Sequence, residues 1–528
     1  MLKNKSILEI VKICFFYLSL FILIFALGAK YNFLDHDLFS RLIQGSNVIN
    51  FGHVFYNDPV SYTPTHIWYD PEWITSGFLY LISQNFGAEG FIVLKCLSSF
   101  LIIFFISLAI KERLKTSKET PYNILFYIFI LSVFTLVCIL SYTIRCQNIT
   151  FILLPVWILI LEKIRKGDDK WLYSLPFIML LWLNCHGGSI SGVGILILYG
   201  IGEALNKRPF KKYFIALIFV CLVYFINPWG ADFIKFIFES SYLDRSWIKE
   251  WQPTFKNLGD LNNYSTYFVF LFLTVITYIS TIILKKINYS KLDKTKLLIL
   301  LVTIYLSISA RKHVELFIVI ASIFIYENFY FIYNTITSKL QNALKIDNNS
   351  IEPFKVIKNT IIYTAIYIYS FIILFTNPFS FIHNNDIRAN YPINAVEFIK
   401  INNLKGKIIA QFHYSTYIAW KLYPDIKIYM DGRQEQVYDK KIFDELMYFY
   451  LHLGDNPHKI VEEYSPDYIL TDFNWGDNDF YRESKDYKEI YNDGGFCLFA
   501  KAKIAKNEYK PVMRDDIELI SEMFYSNF

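Results

Sequence analysis

The chain has 528 residues, of which 54% are hydrophobic and only 19% charged, with a mean hydropathy of +0.31. A globular domain carries nearer a quarter charged residues, so this composition excludes an ordinary soluble enzyme. The formal charge of +5 does not imply a nucleic-acid partner, because the basic residues are better explained by the loops between apolar segments.

The apolar residues come in blocks of ~20, the length at which a helix crosses ~30 Å of hydrocarbon. Lys3, Lys5 and Lys12 precede the first block, Ile13 to Ala29. It is longer than the ~7–15 residues of a signal-peptide core and reads as a retained helix. Eleven spans follow from the pattern, roughly 13–29, 89–110, 122–142, 149–162, 171–185, 189–205, 213–226, 264–284, 296–309, 313–334 and 357–377. Glu72 to Phe86 is amphipathic and suits an interfacial or re-entrant segment. The predicted fold class is an α-helical polytopic membrane domain over 1–384, with its first outer loop at 30–88, followed by a small soluble α/β domain over 385–528.

Basic residues set the orientation. Lys111, Arg113, Lys115 and Lys118 fill one loop, Lys163, Arg165, Lys166 and Lys170 the next on the same side, and Lys207, Arg208, Lys211 and Lys212 the one after. Lys285, Lys286, Lys291, Lys294 and Lys296, then Lys339, Lys345, Lys355 and Lys358, continue this cytoplasmic face. The amino terminus is then cytoplasmic, and the chain after the last span lies on the outer (periplasmic or extracellular) face of the cytoplasmic, or inner, membrane. The sorting also places Asp35 and Asp37, Glu72, Arg145, Asn184 and His186, Asn227-Pro228-Trp229-Gly230, Glu250, Arg311 and His313 on the outer side. The opposite side carries mostly plain lysine. Such an asymmetry marks an active face.

Asp35-His36-Asp37 directly follows the first span, where acidic residues are costly and seldom without a role. Either aspartate can serve as a base, cap the helix that follows, or join the other in holding a divalent cation through oxygen ligands. Among the seven cysteines, Cys14, Cys96, Cys138 and Cys221 sit in apolar blocks and read as packing, while Cys146 and Cys185 fall on the outer side, where they could pair. In the C-terminal part, Pro392 to Ile401 has helical spacing. Lys407 to Phe412, Ile426 to Met430 and Tyr468 to Thr471 read as strands. Asn456 to Tyr464 reads as a helix, and Tyr491 to Gly495 as a hairpin turn.

Asp37, Arg41-Leu42, Gly45, Asp58-Pro59-Val60-Ser61-Tyr62 and Trp68, in that order, resemble the GT-C superfamily of polytopic glycosyltransferases. The similarity is to the bacterial branch related to protein mannosyltransferases and lipopolysaccharide sugar transferases. Arg145-x-Gln147, Trp182-x-Asn184-x-His186-Gly187, Asn227-Pro228-x-Gly230, Glu250-Trp251 and Arg311-x-His313 extend it, and Tyr417-Ile418-x-Trp420 with Asp431-Gly432-Arg433 resembles the tail domain of such proteins. The oligosaccharyltransferase motif WWDYG is absent from the sequence, so an asparagine acceptor is not supported.

The resemblance implies a sugar donor linked to a polyprenyl phosphate and transfer to a glycan, lipid or protein acceptor on the outer face, with membrane lipids as surroundings. It implies Asp37, then Asp35, as catalytic base. Arg311 suits the leaving phosphate, since a guanidinium grips phosphate through two hydrogen bonds; an arginine bound to lipid headgroups is the alternative. His313, His186, Asn184, Arg145, Glu72 and Glu250 complete the substrate-binding candidates. Trp73 and Trp251 suit an aromatic belt or a sugar-stacking surface. A polysaccharide polymerase or ligase would rely on Arg311 and His313 without the aspartate pair. A transporter would place ionisable groups near the bilayer midplane in matched repeats, which the sequence does not show.

Overall fold

The computed structural model describes residues 7–28, 35–114, 124–140, 145–243, 245, 248–256, 259–260, 264–343, 368, 391–514 and 516–526. The eleventh expected span, 357–377, lies outside them apart from residue 368.

Each of the other ten apolar blocks forms a helix, because a continuous run of apolar residues inside a membrane must satisfy its backbone internally. In chain order these are α1 (Ile7–Gly28), α3 (Trp73–Leu114), α4 (Ile124–Leu140), α5 (Gln147–Arg165), α6 (Ser174–Cys185), α7 (Ile190–Leu205) and α8 (Lys211–Leu222). After the amphipathic helix α9 (Ala231–Ser241) come α10 (Ser265–Leu284), α11 (Lys294–Ser309) and α12 (Val314–Ala343). Among the described residues, five stretches are long and apolar enough to cross a membrane: 73–114, 147–165, 187–205, 265–284 and 311–340. Two shorter apolar stretches, Ile13–Ala26 and Leu125–Leu136, accompany them. The protein is thus an integral membrane protein, and the described helices of 12 to 16 residues, such as α6 and α11, fall short of a full upright crossing.

Residues 73–86 are the first arm of α3, which breaks at Gly87 (φ +54°) and continues to Leu114. That arm packs on α2 (Leu38–Phe51) and on the carboxyl end of the chain, where Ser83 donates to the carbonyl of Phe524.

The C-terminal part is a five-stranded sheet of β1 (Gly406–Ile409), β2 (Ile426–Ile428), β3 (Tyr468–Asp472), β4 (Tyr487–Asn492) and β5 (Phe496–Lys501), in the order β2-β1-β3-β5-β4. β2, β1 and β3 run parallel, and β3, β5 and β4 antiparallel. The strand expected at 407–412 ends at Ile409, since Phe412 opens the helix Phe412–Leu422. The expected turn closes the β4–β5 hairpin, with Gly494 at φ +80°.

The first loop and the sheet share one apolar core. Leu38, Phe39, Val60 and Trp68 of the loop and Phe91 of α3 join Tyr417, Trp420, Ile428 and Phe524 in a single buried cluster. Ser61 bridges Ile428 as an added edge pair. Asp58, 375 residues from Arg433, accepts a hydrogen bond from it at 2.7 Å with both side chains fully buried. A second core, including Trp157, Trp182, Tyr199 and Ile318, holds the membrane helices together.

The helix ends opposite the motif-rich face are richer than the plain lysine face expected. Arg113 pairs with Glu162 at 2.7 Å, and Arg165 with Glu203 and Asp293 at 2.8 and 2.6 Å. Tyr199 donates to Glu162, and Lys296 pairs with Glu327. The buried members, Arg113, Glu162, Glu203 and Lys296, are each paired with an opposite charge, as burial of charge requires.

Candidate active site

α2 begins at Leu38 with Asp37 in the N-cap position, yet the Asp37 side chain makes no capping bond. Asp35 Oδ1 accepts the Asp37 N–H at 2.9 Å, one step before the helix. Asp35 is 3% exposed and is gripped on its other oxygen by Arg145 Nε. Asp37 is different. Its side chain is open to solvent at the bottom of a recess crowded by protein. That crowding, with the nearby Asp35 carboxylate, raises its pKa to about 7, against the pull of Arg41 and Arg145.

The tail domain forms one side of the recess. Thr416 donates to the carbonyl of His36 at 2.8 Å, and a Cβ built on Gly432 would stand 2.6 Å from Asp37 Oδ1. This is the position in Asp431-Gly432-Arg433 that has to be small. Its neighbours anchor the turn: Arg433 binds Asp431 through Nε at 2.8 and 3.0 Å, Asp58 through one terminal nitrogen and Tyr438 at 3.1 Å through the other. Its guanidinium lies 4.5 Å from the Trp68 ring centre. Gly432→Ala adds no backbone strain but displaces the Asp37 carboxylate. Since misplacing a reacting group by ~1 Å costs up to about 100-fold, we expect a roughly tenfold or greater loss of transfer with an unchanged thermal midpoint, measured side by side on the purified protein.

Behind Asp37 runs a chain of fixed partners. Arg41 pairs with Asp70 at 2.7 Å and with Glu72 at 2.9 Å. Glu72 faces His186 Nε2 at 3.3 Å. The Gly188 N–H points at His186 Nδ1 from 3.0 Å, which makes Nδ1 the acceptor and leaves the proton on Nε2, toward Glu72. Burial, aided by Lys312 and Arg41, lowers the His186 pKa to about 3, so the ring is neutral. Burial also raises the carboxyls, Asp70 to about 6 and Glu72 upward, against the pull of Arg41.

On the other side, Arg145 reaches from Asp35 to Glu250 at 3.0 Å and keeps about a third of its side chain exposed. Gln147 donates to Glu315 at 3.3 Å. Lys312 Nζ stands 2.9 Å from the Trp251 ring centre, and Arg245 covers the same ring at 4.2 Å.

The structure therefore brings Asp35, Asp37, Arg145 and Glu250 together on one side, and Glu72 and His186 together through Arg41 on the other. Asn184 is one step away, with its amide committed to Trp73 Nε1, Leu180 O and Ile226 O. Arg311 is turned toward Asp260 at 3.0 Å and the Pro253 carbonyl, and His313 toward Leu306 O at 3.3 Å. The stacked cation beside the Arg145–Glu250 pair is Lys312, between the two residues chosen from the sequence. Nothing in its local pattern distinguishes a lysine that faces Trp251 from one that faces lipid.

Cys146 and Cys185 are not paired: both are free, buried thiols, Cys146 in the fields of Glu72 and Arg41. Among the described residues no three His, Cys, Asp or Glu side chains converge to hold a metal ion. Asp35 is committed to Arg145 rather than to a site shared with Asp37.

No protein-family model matches the chain, and no curated protein matches it in sequence. Solved structures do. The archaeal oligosaccharyltransferase AglB from Archaeoglobus fulgidus, in complex with an inhibitory peptide and a dolichol-phosphate, superposes with a TM-score of 0.54 and 11% identity over 93% of this chain and 75% of that one. The Archaeoglobus fulgidus oligosaccharyltransferase tethered to an acceptor peptide containing the NVT sequon gives 0.51 and 12% over the same shares. Its apo form gives 0.52 and 12% over 87% of this chain and 70% of that one. The chain therefore shares its fold with these oligosaccharyltransferase structures.

Proposed function

We propose that this protein is a membrane glycosyltransferase. It moves a sugar from a polyprenyl-phosphate-linked donor to a hydroxyl acceptor on the outer face of the cytoplasmic membrane, with the amino terminus cytoplasmic and the tail domain outside. The observation that carries the reading is the setting of Asp37, a solvent-open carboxylate that stands against Gly432 of the tail domain and between the charges of Arg41 and Arg145. The dolichol-phosphate in the AglB structure supports a lipid-phosphate donor.

Transfer requires three things of these residues. Asp37 accepts the proton of the acceptor hydroxyl as its oxygen bonds to the anomeric carbon. The bond from that carbon to the phosphate oxygen breaks, and its electron pair leaves with the lipid phosphate. Arg145 and Lys312, both beside Glu250, supply the positive charge that meets the phosphate. Asp35 positions Arg145, and Arg41, Glu72 and neutral His186 form the opposite wall.

A base must be ionised to act, so activity follows the deprotonated fraction of Asp37. With a pKa of about 7, that fraction falls about tenfold from pH 8 to pH 6. The test is release of polyprenyl phosphate by purified protein in proteoliposomes containing lipid-linked sugars, followed from pH 5.5 to 8.5. A rate that drops with unit slope below pH 7 supports the reading; a flat profile through this range removes Asp37 as the base.

A further inference from the structure

A cavity of about 410 Å³ lies between the first loop, α9 and the tail domain, within the ~300–1,000 Å³ usual for small-molecule sites. The turn 432–436 is its shared wall with the Asp37 recess. Gln434 lines the cavity, while Gly432, two residues earlier, touches Asp37. Gln436 completes the wall, its side-chain oxygen 3.4 Å from Arg41 and its carbonyl accepting the Tyr69 N–H. Gln434 also holds a left-handed backbone, φ +38°, a strain that clusters where function over-determines the chain.

The lining selects the class of ligand. Tyr69 and Phe236 both line the cavity and stack on each other at 5.0 Å with their rings 16° apart, so together they present ring edges and carbon surface, an aromatic wall that gives apolar contact to the C–H groups of a sugar. Glu239 and Asp439 add carboxylates able to accept hydroxyl protons. The two cations at the cavity are engaged, Arg245 with Glu435 at 2.6 Å and Lys440 with Asp444 at 2.9 Å, so a phosphate finds no free counter-charge there. We infer that this cavity is the acceptor pocket and takes a neutral saccharide, whose hydroxyl reaches Asp37 past the 432–436 turn. The inference rests on the glycosyl-transfer reading and deepens it.

The test is saturation-transfer NMR on the full-length protein in nanodiscs, with maltotriose, mannotriose and chitotriose as neutral probes and pentalysine as a basic-peptide probe. At least one trisaccharide should show saturation transfer that falls fivefold or more in Ser240→Trp, which fills the cavity, and in Tyr69→Ala, which removes half of the aromatic wall. Using both variants guards against one of them misfolding, and each is checked by its thermal midpoint. Absence of signal from all three sugars, a signal indifferent to both substitutions, or a cavity-dependent signal from pentalysine alone would overturn the assignment. Cavity-dependent sugar binding in a protein that releases no polyprenyl phosphate would overturn the glycosyl-transfer reading instead, leaving the binding site in place.

Discussion

Asp37→Asn is expected to lower transfer by roughly 100- to 10,000-fold, the usual range for loss of a general base, while leaving the protein folded. Asparagine matches aspartate in size, so the contact with Gly432 and the start of α2 survive. The stability sign is also defined. The Asp37 pKa is raised to about 7 in the fold, above the ~3.9 of an unfolded chain, so the folded state binds the extra proton between these values. Stability contributed by this group is therefore lost as pH rises through that window. The amide removes the ionisation, so at pH 8 the thermal midpoint of the variant should equal or exceed that of the parent. Lost activity with an unshifted or higher midpoint separates a chemical role from a structural one. Full transfer activity in the variant would sink the assignment.

Arg433→Met should have the largest effect on stability. Arg433, Asp58 and Asp431 are fully buried and bound to one another, and removing one member of such a group leaves charge stranded out of water at a cost of about 3–5 kcal/mol. The loss should appear as a lower thermal midpoint and as easier proteolysis of the first loop, because Asp58 ties that loop to the tail. Combining Arg433→Met with Asp58→Asn should cost clearly less than the sum of the two single changes, since the partners are coupled. Additive losses would show that the pair does not join loop and tail as a unit.

Much of this architecture was legible in the sequence because it is local. Apolar runs of helical length reported the membrane helices, and the hairpin at Asn492 to Gly495 is visible as turn chemistry. Asp37 stood out as a charge placed just after an apolar helix. What escaped the sequence is non-local. The pairing of Asp58 with Arg433 spans 375 residues, and no periodicity carries it, so the loop and tail read as separate pieces when they share a core. The break between the two arms of α3 at Gly87 is legible as the change from the amphipathic stretch 72–86 to the apolar span 89–110. The division of labour between Asp35 and Asp37 depends on where Arg145 reaches, 110 residues downstream of Asp35. The buried ion pairs around Arg113 and Arg165 were read as loop charge because their acidic partners lie on other helices. Lys312 was passed over in favour of its neighbours Arg311 and His313, whose side chains turn to Asp260 and Leu306.

The central claim is that Asp37 carries out sugar transfer from a polyprenyl-phosphate donor. Its most direct test is mass spectrometry of the lipid-linked sugars in cells lacking this protein and complemented with either the parent chain or Asp37→Asn at matched membrane levels. One polyprenyl-phosphate-linked sugar should accumulate in the deletion, return to normal with the parent chain and stay high with Asp37→Asn. A lipid-linked sugar pool unchanged by the deletion, or restored equally by Asp37→Asn, would contradict it.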